Sequence, residues 1–370
     1  MAKLTHPHKP DFILLGVLIA LVLFGLLMVF NASPVTSLRD FGDPYFLIKQ
    51  QIIWAIIGLA LGLVAFKINY HFWGKVSPLL LLIGIIMLLA VFIPGLGFKI
   101  YGAQRWLKFG FFTLQPAEFI KLAYIVFLSS ILAKKVRFLP FAVITGLICS
   151  IVLRQDDFGT TAIIALMGGA IYFLSGAPLL QIITLVPAGL GIAAFFILTS
   201  DYRRERFLTF LNPSADPQGA AYQINQILIA LGSGGIFGVG LGASRQKYGF
   251  IPEVTTDSIF AVVGNEVGFI GSMVVLLTFL FLVYRGFKIA RFAPDKFGGL
   301  LAIGVASWIG LQTFFNLAGM SSLLPLTGVP LPFISYGGSS LVTTIVASAI
   351  LLNISRYTKS TSNSLSLSKK

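Results

Sequence analysis

The chain has 370 residues, of which 56% are hydrophobic and 11% charged, whereas a soluble domain carries roughly 25% charge. Its formal charge of +14 is spread over short loops between apolar runs, so it sets topology and contacts anionic headgroups, and it calls for no nucleic acid. A single cysteine, Cys149, excludes an internal disulfide and a cysteine-based metal cluster.

Ten apolar runs are long enough to cross a hydrocarbon core of roughly 30 Å. They cover residues 12–30, 50–66, 78–95, 117–133, 139–154, 158–175, 180–199, 257–283, 298–320 and 338–355. The expected fold is an all-α polytopic bundle, a single transmembrane domain over residues 1–355. The first run reads as a retained anchor, because it is long for a signal peptide and ends without a cleavage motif. With the N-terminus in the cytoplasm, one side receives 15 Lys and Arg against two acids, Asp11 and Asp295. Such asymmetry favours both termini inside. The outer loops are then 31–49, 94–116, a turn near Asp156, 200–256 and 321–337. The tail 356–370 is rich in Ser, Thr and Lys, a composition expected to stay disordered.

Polar motifs concentrate on the outer side. In the second outer loop, YGAQRWLKFG carries Arg105 beside Trp106. The fourth run opens at Pro116 and places Glu118 and Lys121 three residues apart on one helical face. Ionisable groups inside a span cost roughly 2.5–3.5 kcal/mol each on insertion scales, so these two either form a structural ion pair or line a polar cavity. RQDDFGTT adds Asp156 and Asp157 on the same side.

The loop 200–256 begins with DYRRERFLTFLN, which sets Arg203, Arg204 and Arg206 among Phe207, Leu208 and Phe210. As a helix it is amphipathic. It either rests on headgroups or binds a lipid phosphate through bidentate arginines. A second short helix, AYQINQILIALGSGG, leads into the glycine-dense GSGGIFGVGLGAS. That segment follows a helix and not a strand, which argues against a dinucleotide loop; it is expected to bring backbone N–H groups close to a substrate. Asp257 closes the loop at the mouth of the eighth run, where an N-cap is the plain expectation and a catalytic carboxylate the sharper one. Within one continuous helix, Glu266 would point about 180° away from Asp257 and roughly 13 Å along the axis, which removes it as a second acid and suits pairing inside the bundle. GVPLPFISYGGSS, before the last run, suits a rigid loop dipping into the bundle.

GAQRW, QPAEFIKLA, NPSADPQGAAYQINQILIALGSGG, SRQKYGFIPEVTTDSIFA and LPLTGVPLPFISYGGSS together resemble, in matching order from residue 100 to 341, the SEDS family of shape, elongation, division and sporulation proteins. SRQKYGF and the last motif resemble its division member more than its elongation member. The resemblance implies a ten-span peptidoglycan glycosyltransferase that polymerises lipid II outside the bacterial cytoplasmic membrane, at the division septum, releasing undecaprenyl diphosphate. Asp257 matches the family's essential aspartate. Glu118, Lys121, Asp157, Arg105, Arg203 and Arg206 match positions around the substrate cavity. No organic cofactor is implied, because the lipid pyrophosphate is already an activated leaving group. Asp257 is either the general base or an oxygen ligand to Mg²⁺ or Mn²⁺. The implied partners are a class B penicillin-binding protein, other divisome proteins, lipid II and the undecaprenyl-linked glycan. A lipid II flippase, an elongation-type polymerase and a non-catalytic division scaffold are the competing readings. Three positions depart from the family pattern: Ser258 replaces Phe, Asp156 replaces Pro, and Asn265 replaces Glu.

Overall fold

The computed structural model describes residues 7–100, 103–109, 112–199, 201–212, 221–245, 247 and 249–358. The ten expected runs coincide with α1 (Phe12–Ala32), α3 (Phe46–Lys67), α4 (His71–Ala90), α5 (Pro116–Lys134), α6 (Phe138–Arg154), α7 (Phe158–Leu174), α8 (Leu179–Leu198), α11 (Ile259–Phe292), α12 (Lys296–Met320) and α13 (Gly338–Ser355). Three short helices lie between them: α2 (Pro34–Phe41), α9 (Asp201–Leu211) and α10 (Tyr222–Gly234). The last twelve residues of the expected tail, 359–370, lie outside the described residues.

Elementary chemistry marks the helix starts. The Asp11 carboxylate accepts from the Leu14 N–H at 3.0 Å and Asp295 accepts from Gly298 N–H at 2.9 Å, so each side chain satisfies a donor that its helix leaves free. Pro116 opens α5, where its missing N–H costs nothing. In their most apolar stretches, 67% of the residues of α5 and of α12 and 72% of those of α13 are buried, against 22% for α4 and α11. These three helices therefore form the centre of the bundle. Gly58 and Gly62 let α3 approach α13 at Val342 and Ile345. The start of α1 meets the end of α13: His8 N–H donates to the Arg356 carbonyl at 2.8 Å and Asp11 N–H to the Ser355 hydroxyl at 3.1 Å.

The helical bundle carries one element that hydropathy does not signal. Strands β1 (Gly97–Ile100), β2 (Ala103–Phe109) and β3 (Phe112–Leu114) form an antiparallel sheet in the second loop, with Gly97 opposite Leu107 and Leu107 opposite Leu114. Leu107 is buried, and β3 runs directly into α5.

The glycine-dense segment fills a break in a helix. Unbroken, the 34 residues of α11 would extend about 50 Å, far beyond a bilayer core. The helix is broken at Gly268, where φ is 68° and ψ −167°. Residues 235–240 fill the break. Val239 and Gly240 N–H donate to the Asn265 and Glu266 carbonyls, both at 3.0 Å. Phe269 and Ile270 N–H donate to the Gly235 and Ile236 carbonyls, at 2.9 and 3.1 Å. Backbone away from water must be paired, and this loop pairs it in both directions. Gly238 has a φ of +84° and packs on the Glu266 carbonyl, so a Cβ there meets backbone.

Gly238→Ala should therefore cost about 3 kcal/mol or more, the sum of backbone strain and a forced shift. Gly232→Ala, in α10 with open space around it, should be neutral or stabilising by up to about 1 kcal/mol. Thermal unfolding of the two variants in detergent checks both expectations.

Candidate active site

Lys121 is fully buried in α5, and its ammonium has three partners. Nζ lies 2.7 Å from Glu118 Oε1 and 2.7 Å from Gln312 Oε1, and stands 5.0 Å from the centroid of the Trp308 ring. Trp308 Nε1–H donates to the same Gln312 oxygen at 2.7 Å. The Gln312 amide then donates to the Pro330 carbonyl at 2.9 Å. A charge in a dry interior persists only when paired and hydrogen-bonded, and this ammonium meets both conditions. Glu118 Oε2 is buried with no hydrogen-bond partner among the described residues.

One turn along α12, Asn316 repeats the arrangement. Its amide donates at 2.8 Å to the Val329 carbonyl and at 2.8 Å to the Asp257 carbonyl. Asp257 is thus fixed through its backbone by the same helix that holds Lys121. The preceding residue pair is also held, because Tyr336 N–H donates to the Thr255 carbonyl at 2.8 Å. The Asp257 side chain lies against Gly328, where an added Cβ would sit 3.6 Å from Oδ2, and Thr256 Oγ1 donates to Oδ1 at 3.3 Å. The segment GVPLPFISYGGSS dips into the bundle at residues 329–335 as its composition suggests: Leu331 N–H donates to Ser335 Oγ at 2.8 Å, and Gln51 Nε2 donates to the Ser335 carbonyl at 3.2 Å.

Asp257 is not an N-cap. Residues 252–258 form turns, and α11 begins at Ile259 after Ser258. Asp257 lies outside the helix, so helical phase does not relate it to Glu266. Glu266 is nevertheless paired inside the protein: its Oε1 lies 3.4 Å from Lys247 Nζ.

The remaining expected residues divide into two groups. Asp157 caps α7, accepting from Thr160 N–H at 3.0 Å. Arg105 donates to the Gln155 carbonyl at 3.2 Å and to the Asp156 carbonyl, fastening β2 to the turn before α7. These contacts give both residues structural work. Arg203 and Arg206 lie in α9, and their side chains are outside the described residues. On α2 and the turn that follows it, Asp40 is held below the usual carboxylate range by its hydrogen bond from Arg39. Asp43 is held low in the same way by Lys49 and the Tyr45 N–H.

Each of the three departures has a local partner or reason. Ser258 is buried and its hydroxyl accepts from Gln223 Nε2 at 3.2 Å. Asn265 donates to the Ala230 carbonyl at 3.0 Å and to Ser233 Oγ at 2.8 Å. Both bind α10, so polar side chains here join the loop helix to α11. Asp156 has a φ of +59°, a conformation closed to proline.

Gln312, Asn316, Trp308 and Lys247 were not singled out from sequence. A signal existed for three of them: Trp308, Gln312 and Asn316 recur every fourth residue and so stripe one face of an apolar helix.

The family model described as cell cycle protein, for FtsW, RodA and SpoVE, matches residues 11–360. The chain belongs to the SEDS family. This SEDS chain is 41% identical over 367 residues to the probable peptidoglycan glycosyltransferase FtsW of Geobacter metallireducens, covering 97% of this chain and 98% of that protein. It is 39% identical over 363 residues to stage V sporulation protein E of Bacillus subtilis, covering 96% and 99%. The rod shape determining protein RodA of Thermus thermophilus superposes with a TM-score of 0.70 at 24% identity, over 95% of this chain and 98% of that one. A chain from the structure described as "Structural coordination of polymerization and crosslinking by a peptidoglycan synthase complex" superposes with a TM-score of 0.77 at 24% identity, over 94% and 98%. The two superpositions establish the multi-span SEDS fold.

Removing one member of the buried pair strands the other. Lys121→Met alone should cost about 3–5 kcal/mol, and adding Glu118→Gln should recover much of that loss. Unfolding midpoints of the single and double variants in detergent check the pattern.

Proposed function

We propose that this SEDS chain is a peptidoglycan glycosyltransferase that polymerises lipid II into β-1,4 glycan with release of undecaprenyl diphosphate. The supporting observation is that Asp257 and Lys121 belong to one buried framework, because Asn316 and Gln312 on one face of α12 hold them. A carboxylate and a cation fixed in this way suit transfer from a pyrophosphate-linked donor. The Geobacter metallireducens relative, a probable peptidoglycan glycosyltransferase that matches nearly the whole of this chain, points the same way.

In this reaction the 4-hydroxyl oxygen of an incoming lipid II attacks the anomeric carbon of the growing glycan. The bond from that carbon to the pyrophosphate breaks, and the undecaprenyl diphosphate leaves with the electron pair. Single displacement inverts the α-linkage to β. Asp257 accepts the hydroxyl proton as general base. A carboxylate is a weak base for an alcohol, so the proton moves late, as the oxygen becomes acidic during bond formation. Lys121 with Arg105, Arg203 and Arg206 supplies the positive field for the leaving group. Glu118 and Asp157 complete the substrate-binding set.

Among the described residues no three His, Cys, Asp or Glu side chains converge. A Mg²⁺ or Mn²⁺ ion fits such a donor set only as these ions are often held, by one or two carboxylates and the substrate's phosphate oxygens. Asp257 is the carboxylate that would hold it, and the ion would neutralise pyrophosphate charge.

The site lies in the outer half of the bacterial cytoplasmic membrane, with both termini cytoplasmic. The chain works at the division septum with a class B penicillin-binding protein that cross-links the new strands, among other divisome proteins.

The test is polymerisation of fluorescent lipid II by the purified chain with its transpeptidase in detergent, where the membrane has no sides and a flippase makes no glycan. Wild type should yield long glycan. Asp257→Asn should lose about a hundredfold or more in rate, and wild-type glycan from that variant contradicts the assignment. Chelation by EDTA should slow the wild type, and added Mg²⁺ or Mn²⁺ should restore it. Asp257→Asn should stay inactive at every metal concentration if the carboxylate is the base; recovery at high metal reassigns it as a ligand.

A further inference from the structure

Lys247 is buried, although Arg245 before it and Gly249 after it are exposed. Its ammonium donates to the Gly242 carbonyl at 2.6 Å and lies 3.4 Å from Glu266 Oε1. Glu266 sits at the break in α11, where its own carbonyl accepts from Gly240 N–H at 3.0 Å. The other carboxylate oxygen, Oε2, is buried with no hydrogen-bond partner among the described residues. The ion pair therefore joins the chain before Asp257 to the helix after it and closes a loop with Asp257 near its middle.

That loop stores strain at its turn. Glu253 has a φ of +51°, and its carbonyl accepts from the Thr256 N–H at 3.1 Å and the Ser258 N–H at 3.2 Å. A β-carbon residue holds such a conformation only when its surroundings impose it. Asn316 and Tyr336 hold the far side of this turn, at the Asp257 and Thr255 carbonyls. On the near side, the described polar tie to the bundle is Lys247.

We propose that the Lys247–Glu266 ion pair is a positioning device for Asp257. It fixes the register in which Lys247 and the described residues around it, 241–245 and 249–256, sit against the break in α11, and so sets where the carboxylate stands. This inference rests on the reading of Asp257 as the catalytic carboxylate. Lys247 and Glu266 do not touch the reacting groups; they act through the backbone of the turn. A buried pair suits this task because one docking register satisfies both charges and a slipped register strands them.

The test uses the full chain in detergent with Lys247→Met, Glu266→Gln and the conservative Lys247→Arg. Hydrogen exchange reads the turn directly. In Lys247→Met and Glu266→Gln, amides of residues 249–258 should exchange about tenfold faster or more, while α12 and α13 keep their protection. In polymerisation, kcat should fall about tenfold or more with KM for lipid II changed by less than about twofold, and Lys247→Arg should retain most of the rate. Unchanged exchange at 249–258 in both neutral variants overturns the proposal. So does faster exchange across the whole molecule, or a wild-type kcat in a variant whose turn has loosened. If Lys247→Met does not fold, Glu266→Gln decides alone. If the wild-type chain makes no glycan, the glycosyltransferase reading fails, and the exchange measurement still decides whether the pair positions the turn.

Discussion

The Lys121 ammonium is the constraint on which the centre of this protein depends. A cation enclosed in a bundle needs charge compensation and hydrogen bonds in place before the helices close. Glu118 supplies the charge from the same helix, and Gln312 supplies an oxygen from α12. That second contact couples two helices whose apolar faces alone would tolerate several rotations. Once α12 is set, Asn316 is set one turn further on, and with it the Asp257 and Val329 carbonyls. A buried ion pair in α5 thus fixes the backbone of a carboxylate on a distant loop.

The second organising feature is the break in α11. A helix of 34 residues with a left-handed glycine inside it leaves backbone groups that lipid cannot satisfy. The glycine-dense loop satisfies them by backbone pairing, and its glycines allow two main chains to approach closely. Residues 235–240 are consequently tied to both sides of the break in α11. Ser258 and Asn265 extend the same join through side chains, because both bind α10. A phenylalanine or a carboxylate at those positions makes different contacts, so the departures from the family pattern are accommodated by the local polar joinery of this chain.

The bundle itself was legible in the sequence, since each span announces itself by apolar length and the basic loops mark one side. The Glu118–Lys121 spacing on one helical face and the dipping loop before α13 were legible too. The sheet 97–114 was not, because its short strands lie in a loop where hydropathy carries no period. The role of Asp257 as a turn residue and not a cap was hidden by Ser258, which delays the helix. The pairing of the glycine motif with α11 was hidden, because sequence shows permissive backbone but not the broken helix that uses it. Gln312 and Asn316 stood in plain view every fourth residue of α12, and polar amides in an apolar span merit the attention given to charges.

Asn316 is the link between the buried framework and the backbone of Asp257. The most direct measurement is the initial rate of lipid II polymerisation by Asn316→Ala, with folding verified by its unfolding temperature and lipid II affinity measured in parallel. Releasing the two buried carbonyls should displace Asp257, so kcat should fall by about a hundredfold while lipid II is still bound. A folded Asn316→Ala chain that polymerises at the wild-type rate would contradict the account.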